Sequence, residues 1–199
     1  MALVIKGSSS GQVTVDVPAA AGTNTLTLPA ESGNILTNDT SGTVIQVKQT
    51  IDTAASTITN SGSAAAFVDH GSLSVAITPT STANKILLFA TMTASGNTAD
   101  RLAFYKFTGG NTASGVGASA NTRTRCLQAV YFPSTAELMS VNMHYLDSPS
   151  TTSAVTYKVQ VAPNFSNGNL AINYYFANDG DSPVLPRMAS TITAIEVVA

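Results

Sequence analysis

From about residue 43 to the end of the chain, apolar and polar side chains alternate one for one, and Gly, Pro, Asn and Ser interrupt the alternation at short intervals. A period of two belongs to a strand with one buried face, and the interruptions mark turns. The pattern predicts strands over Val44–Ile51, Leu73–Pro79, Lys85–Thr93, Arg101–Thr108, Arg125–Phe132, Glu137–Asp147, Ala154–Ala162, Leu170–Ala177 and Thr191–Val198. In Leu73–Pro79, Leu73, Val75 and Ile77 share one face and Ser74, Ala76 and Thr78 the other. In Glu137–Asp147 the apolar face is Met139, Val141, Met143 and Tyr145. Ile86-Leu87-Leu88-Phe89 is apolar on both faces, which predicts a central strand covered on each side. Helical periodicity is nearly absent. Nine such runs with irregular connections predict an all-β head, an antiparallel β-sandwich of jelly-roll-like type, over residues 43–199.

Residues 1–42 read differently. The runs Gln12–Val17 and Thr25–Leu28 are short, separated by Pro18-Ala-Ala-Ala-Gly22 and followed by Pro29 and Gly33, and the first large aromatic is Phe67. A segment of about forty residues buries too little surface to hold a core by itself. Either it is a flexible arm, or it winds with copies of itself and buries Val13, Val15, Leu26, Leu28, Ile35 and Leu36 between chains. Regular alternation favours the second, because disorder normally lowers hydrophobicity and here it is not lowered. The expected organisation is a short intertwined N-terminal β arm, 1–42, ahead of the head.

Composition narrows the class. Of 199 residues 44 % are apolar but only 10 % are charged, against about 25 % in ordinary globular proteins. Ser, Thr, Asn and Gly must therefore cover the surface, as in extracellular or particle-borne β proteins. The net charge of −2 and scattered basic residues, with Arg123 and Arg125 the only close pair, argue against nucleic-acid binding. The single cysteine, Cys126, allows no intrachain disulfide and no Cys-based zinc site, and is expected to act as a small buried hydrophobe or to bridge subunits. MALVIKGSSS has an apolar run too short for a signal peptide, and no run approaches the ~20 apolar residues of a membrane span. Assembly onto a particle inside the cell, followed by release, reconciles such a surface with the expected lack of export.

Candidate chemistry is sparse. Gly115-Val-Gly-Ala-Ser-Ala120 matches a loose dinucleotide fingerprint, but a strand rather than a helix N-terminus follows it, so it has no place for a pyrophosphate. His70 follows Asp69 directly and the two point apart; His144 sits beside Asn142 on a polar face, and both histidines are expected at the surface or in turns. No carboxylate pair suggests glycosidase work, Trp is absent, and Tyr131, Tyr145, Tyr174 and Tyr175 stand at strand positions that favour packing. Asn178-Asp-Gly-Asp181 offers oxygens to a hard cation, but no Glu follows at calcium-loop spacing, and Asp-Gly is a turn signal. No catalytic residue, metal or cofactor is expected, and the chain is not expected to be an enzyme. Gly109–Thr122, GGNTASGVGASANT, carries no charge and little bulk; it is either a mobile connection or a binding or subunit-contact loop. Exposed loops on a rigid scaffold are where recognition is placed, so Asn111, Arg123 and Arg125, with Asn178, Asp179 and Asp181, are the candidate receptor contacts.

The runs Leu73-Ser-Val-Ala-Ile-Thr-Pro79, Asn84-Lys-Ile-Leu-Leu88, Leu146-Asp-Ser-Pro-Ser-Thr-Thr-Ser153, Thr156-Tyr-Lys-Val-Gln160 and Ser190-Thr-Ile-Thr-Ala-Ile-Glu-Val197, in this order, resemble a domain of tailed-bacteriophage structural proteins. Those phages are often marine, and the domain often ends their tail fibres. Gly11-Gln-Val-Thr-Val-Asp-Val-Pro18 and Ala21-Gly-Thr-Asn-Thr-Leu-Thr-Leu-Pro29 are similar to short β modules found ahead of such domains. The resemblance covers most of the chain and is weakest over 95–135. It implies a homotrimer in the virion, with an intertwined stalk that also meets other virion proteins and a head that contacts a host surface glycan. It implies assembly in the host cytoplasm, and neither nucleic-acid binding nor membrane insertion. Full tail fibres carry longer anchoring regions than this chain shows. The alternative role is a capsid decoration or head fibre, or a tail adaptor; a depolymerase would need an acid pair.

Overall fold

The computed structural model describes residues 3–6, 8–15, 40–59, 66–97, 99, 101–134, 137–164, 168–176, 183 and 185–199. The chain divides into two compact units, residues 1–35 and 36–199. In the first, β1 (Leu3–Lys6) pairs antiparallel with β2 (Gln12–Val15), Leu3 opposite Val15 and Lys6 opposite Gln12. Gly11, at φ +79, supplies the left-handed turn residue. Val4, Ile5 and Val15 are exposed at 44, 56 and 44 %. A lone two-stranded hairpin is marginal in water, so these side chains gain little within one chain. The expected run Thr25–Leu28, and with it Leu26, Leu28, Ile35 and Leu36, lies outside the described residues, as does the side chain of Val13.

The second unit contains β3 (Val44–Asp52), β4 (Ser56–Thr59), β5 (Val68–Ile77), β6 (Lys85–Gly96), β7 (Arg101–Thr108), β8 (Gln128–Phe132), β9 (Leu138–Asp147), β10 (Val155–Asn164), β11 (Asn169–Ile172) and β12 (Ser190–Val197). β6 pairs along its length with β9 on one side, Ile86 opposite Asp147 and Ser95 opposite Leu138. On its other side it meets β12 and then β11 in line, and these in turn pair with β3 and β4. β3 with β4, and β11 with β12, are therefore two interrupted rows. Counting each once gives eight rows in chain order. One sheet runs first, eighth, third, sixth; the other, β5-β10-β7-β8, runs second, seventh, fourth, fifth. That alternation between antiparallel sheets is the jelly-roll.

Alternation explains the core. Leu73, Val75 and Ile77 of β5, Tyr157, Val159 and Val161 of β10, and Ala103, Tyr105 and Phe107 of β7 turn inward against Ile86, Leu88 and Met92 of β6 and Val141 and Met143 of β9. Each large side chain removed from water there contributes about 1.5–3 kcal/mol.

Buried polar groups fasten the interruptions. Asn173, at φ +63, ends β11; its Nδ2 donates to the Asp52 and Ala54 carbonyls (2.9 and 3.1 Å), and its Oδ1 accepts from Ser190 Oγ (2.7 Å). It spans both broken rows at once. Asp52 in turn accepts from Ser72 N of the opposite sheet at 3.0 Å. At the other end Glu196, fully buried, accepts from Gln46 Nε2, Thr80 N, Thr80 Oγ1 and Asn84 Nδ2 at 2.6–2.8 Å and locks the turn between β5 and β6. Burial pushes its pKa up, but the donors outweigh that and hold it below the ordinary carboxylate value.

Several expectations need correction. The strand expected over Leu170–Ala177 stops at Ile172 because Asn173 turns left-handed, and that over Arg125–Phe132 begins only at Gln128. β4 was missed because Ser56–Thr59 presents one half-buried apolar residue, Ile58. His70 is not at the surface but fully buried in β5, where a bulge opposite Val159, turned by Gly71 at φ +55, carries it inward. His144 is exposed, as its place in the alternation implies. β6 is central, yet over the expected run only one face is covered: Ile86 and Leu88 are fully buried, whereas Phe89 is 45 % exposed.

Candidate binding cleft

The long uncharged loop is held at both ends. β7 stops at Thr108, and Gly109 and Gly110, at φ +99 and +51, reverse the chain. Any side chain at Gly109 would strike the Thr156 carbonyl, and at Gly110 the Asp147 carboxylate and the Tyr157 ring. Asp147, the buried last residue of β9, accepts from Asn111 N at 3.1 and 3.2 Å and from the Tyr157 hydroxyl at 2.6 Å. Burial and this carboxylate both raise the Tyr157 pKa, so the phenol stays a donor. Asn111 Nδ2 donates to the Ser148 carbonyl, Thr112 Oγ1 to the Gly109 carbonyl at 2.7 Å, and a 3-10 turn over Thr112–Gly115 lays Gly115 against the Tyr145 ring. At the far end Gly117 N donates to the Cys126 carbonyl at 3.1 Å, Arg125 Nε to the Gly117 carbonyl at 2.7 Å, and Leu127 N to the Tyr105 carbonyl at 2.9 Å. The loop is thus pinned rather than strung between strands.

Under it lies a cleft of about 340 Å³, with Phe107, Thr108, Thr112 and Val116 among its walls and Lys106 and Arg125 as its charged residues. No carboxylate lines it. Lys106 Nζ stands 4.1 Å from the centre of the Phe67 ring, and the Arg125 guanidinium is oriented by its bond to Gly117. The Lys106 ammonium therefore rests on a ring outside the cleft lining, and the oriented Arg125 guanidinium beside an apolar floor is the group that can take a small ligand carrying a carboxylate, phosphate or sulfate.

Of the expected contact residues, Arg125 lines this cleft and Asn111 anchors the loop that roofs it; Arg123 is exposed on the same loop but does not line the cleft. Asn178, Asp179 and Asp181 lie outside the described residues. Lys106 was missed, although its signal was present: it stands on the polar face of β7, three residues before the Gly109–Gly110 turn. A second hollow of about 330 Å³, between Ile45, Thr80, Ser81, Asn84 and Val198, overlies the Glu196 lock and has no charged side chain in its lining. Cys126 is half-buried, and burial raises its thiol pKa. Among the described residues no three His, Cys, Asp or Glu side chains are grouped to hold a metal ion, and no helix is long and apolar enough to cross a membrane.

No protein-family model and no curated protein sequence matches the chain. Among solved structures it is similar to that of the infectious bursal disease virus Gx strain, with TM-score 0.44, 12 % identity, and cover of 98 % of this chain and 46 % of that one. It is also similar to a mutant VP2 protein of infectious bursal disease virus in derived particles, with TM-score 0.43, 13 % identity, and cover of 98 and 44 %. The chain spans less than half the length of these structures. The likeness is too distant to carry a function across.

Proposed function

We propose that this chain is a structural protein of a tailed-bacteriophage virion, a short homotrimeric tail fibre whose jelly-roll head contacts the host surface. The observation that carries the head's role is the cleft beneath the pinned loop, where Lys106 and Arg125 are the charged residues among the described lining of a largely apolar site. The loop is rigidly placed, and the oriented Arg125 guanidinium suits a surface glycan bearing acidic groups. The ordered resemblance of five head motifs to phage appendage domains supports the virion setting, and the low-charge surface accords with a particle-borne protein. The roles found for buried carboxylates, Asp52 and Asp147 in turns and Glu196 in a lock, are structural, which supports a binding protein over an enzyme.

The test is competition for adsorption. Purified protein should block attachment of the phage to its host cells, and Arg125→Ala should weaken that block about tenfold or more, the size expected for a lost hydrogen bond to a charged group. A protein that binds no host cell would overturn host contact and favour the alternative of a capsid decoration or tail adaptor.

A further inference from the structure

The outer face of the sheet β3/β4–β11/β12–β6–β9 is half covered and half bare. At one end residues 174–176 fold over it: Tyr174 Oη and Thr57 Oγ1 are 2.6 Å apart, Phe176 N donates to Ser95 Oγ at 3.3 Å, and the Arg187 guanidinium lies 5.3 Å from the Tyr174 ring centre. Ala171 and Ser95, which face outward there, have no exposure left. At the other end no described residue covers the sheet. Val47, Ile195, Leu87 and Leu146 stand opposite one another in a single row across four strands. Phe89 and Ile51 lie just beyond, exposed at 45 and 58 %. Among the described residues of the 36–199 unit, every exposed large apolar side chain except Val68 and Tyr131 belongs to this one face. The opposite sheet shows water a different surface, with the Lys158–Asp69 ion pair, Gln160 and Lys106.

We propose that this bare half-face is the surface on which copies of the chain pack against one another, a proposal that rests on the homotrimer reading above and gives it a location. Two features favour a second copy as the occupant. The first is charge: copies converging on an axis bring identical groups together, and among the described residues the face carries only His144 and, at its rim, Lys85 as ionisable groups, which leaves little like-charge repulsion at its centre. The second is size. Four rows spaced about 4.8 Å apart and seven residues long, at ~3.3 Å each, give a footprint on the order of 400–500 Å². About half of its outward positions are apolar and the rest polar, as in the bonded Gln49–Thr193 and Thr91–Asn142 pairs, a mixture like that of ordinary interfaces. It supplies a little over half of the ~800 Å² per partner of a standard one.

The experiment is light scattering on the full chain at micromolar concentration, comparing wild type, Val47→Lys/Leu146→Lys, and the control Thr156→Lys on the opposite sheet. Wild type and control should be the same oligomer, and the double variant should dissociate at least tenfold more readily while keeping its circular dichroism. If the double variant stays as associated as wild type, this face is not the interface, though the homotrimer stands. If wild type is itself a monomer, the homotrimer falls and this proposal with it. Should the double variant fail to fold, radical footprinting of the wild-type oligomer decides: protection of Phe89 supports the interface, and full labelling of Phe89 overturns it.

Discussion

His70 sits in the core with neither ring nitrogen hydrogen-bonded among the described residues, its ring centre 6.0 Å from that of Tyr105. Burial pushes its pKa down to about 4. The unfolded chain takes up this proton near pH 6.5 and the folded one only near 4, so stability is complete above 6.5 and falls as pH drops through that window. Urea unfolding at pH 7 and pH 4.5 should show a loss of about 2 kcal/mol, and His70→Leu should flatten that slope. Glu196 acts lower. Its folded pKa is depressed, so its contribution is present above the ordinary carboxylate pKa and is lost as pH falls through the folded value. Asn173→Ala should cost about 2–4 kcal/mol in the same assay, because it takes a donor from two backbone carbonyls and the acceptor from the Ser190 hydroxyl proton, and puts a Cβ-bearing residue less suited than Asn at positive φ.

At the scale of elements, the loop over the cleft depends on two glycines. Gly110→Ala would drive a methyl into the Asp147 carboxylate and Tyr157 ring. The expected result is a destabilisation of about 2 kcal/mol or more in thermal unfolding, together with loss of host-cell binding, as the Asn111–Asp147 tether lets go. The strands themselves were legible because a one-sided period of two leaves little choice of face. Leu73–Ile77 and Met139–Tyr145 lie as their alternation requires. What alternation could not show was the joins. Nothing local in Asn173 announces a strand break, since its role is to meet carbonyls more than a hundred residues earlier in the chain. Likewise the inward turn of His70 follows from a bulge, which shifts the period and so reverses the expected face. The cleft was half legible: Arg125 was picked from its loop, but Lys106 belongs to a strand and joins it only through the fold.

At the scale of the molecule, the apolar content that alternation assigned to the outside of β6 has no partner among the described residues over half the sheet. The arm poses the same question with Val4, Ile5 and Val15. If the arm strengthens association while the head folds by itself, deleting residues 1–42 should leave head stability within about 1 kcal/mol, the scale of the lost Gly42–Val198 hydrogen bond, while shifting the oligomer toward monomer. A deletion that unfolds the head would contradict this. The central claim, that the chain is a built component of a virus particle, is met most directly by peptide mass spectrometry of gradient-purified phage. The predicted result is recovery of this chain with the particles at the stoichiometry of a structural protein, in multiples of three. Its presence in infected-cell lysate but absence from purified particles would contradict the claim.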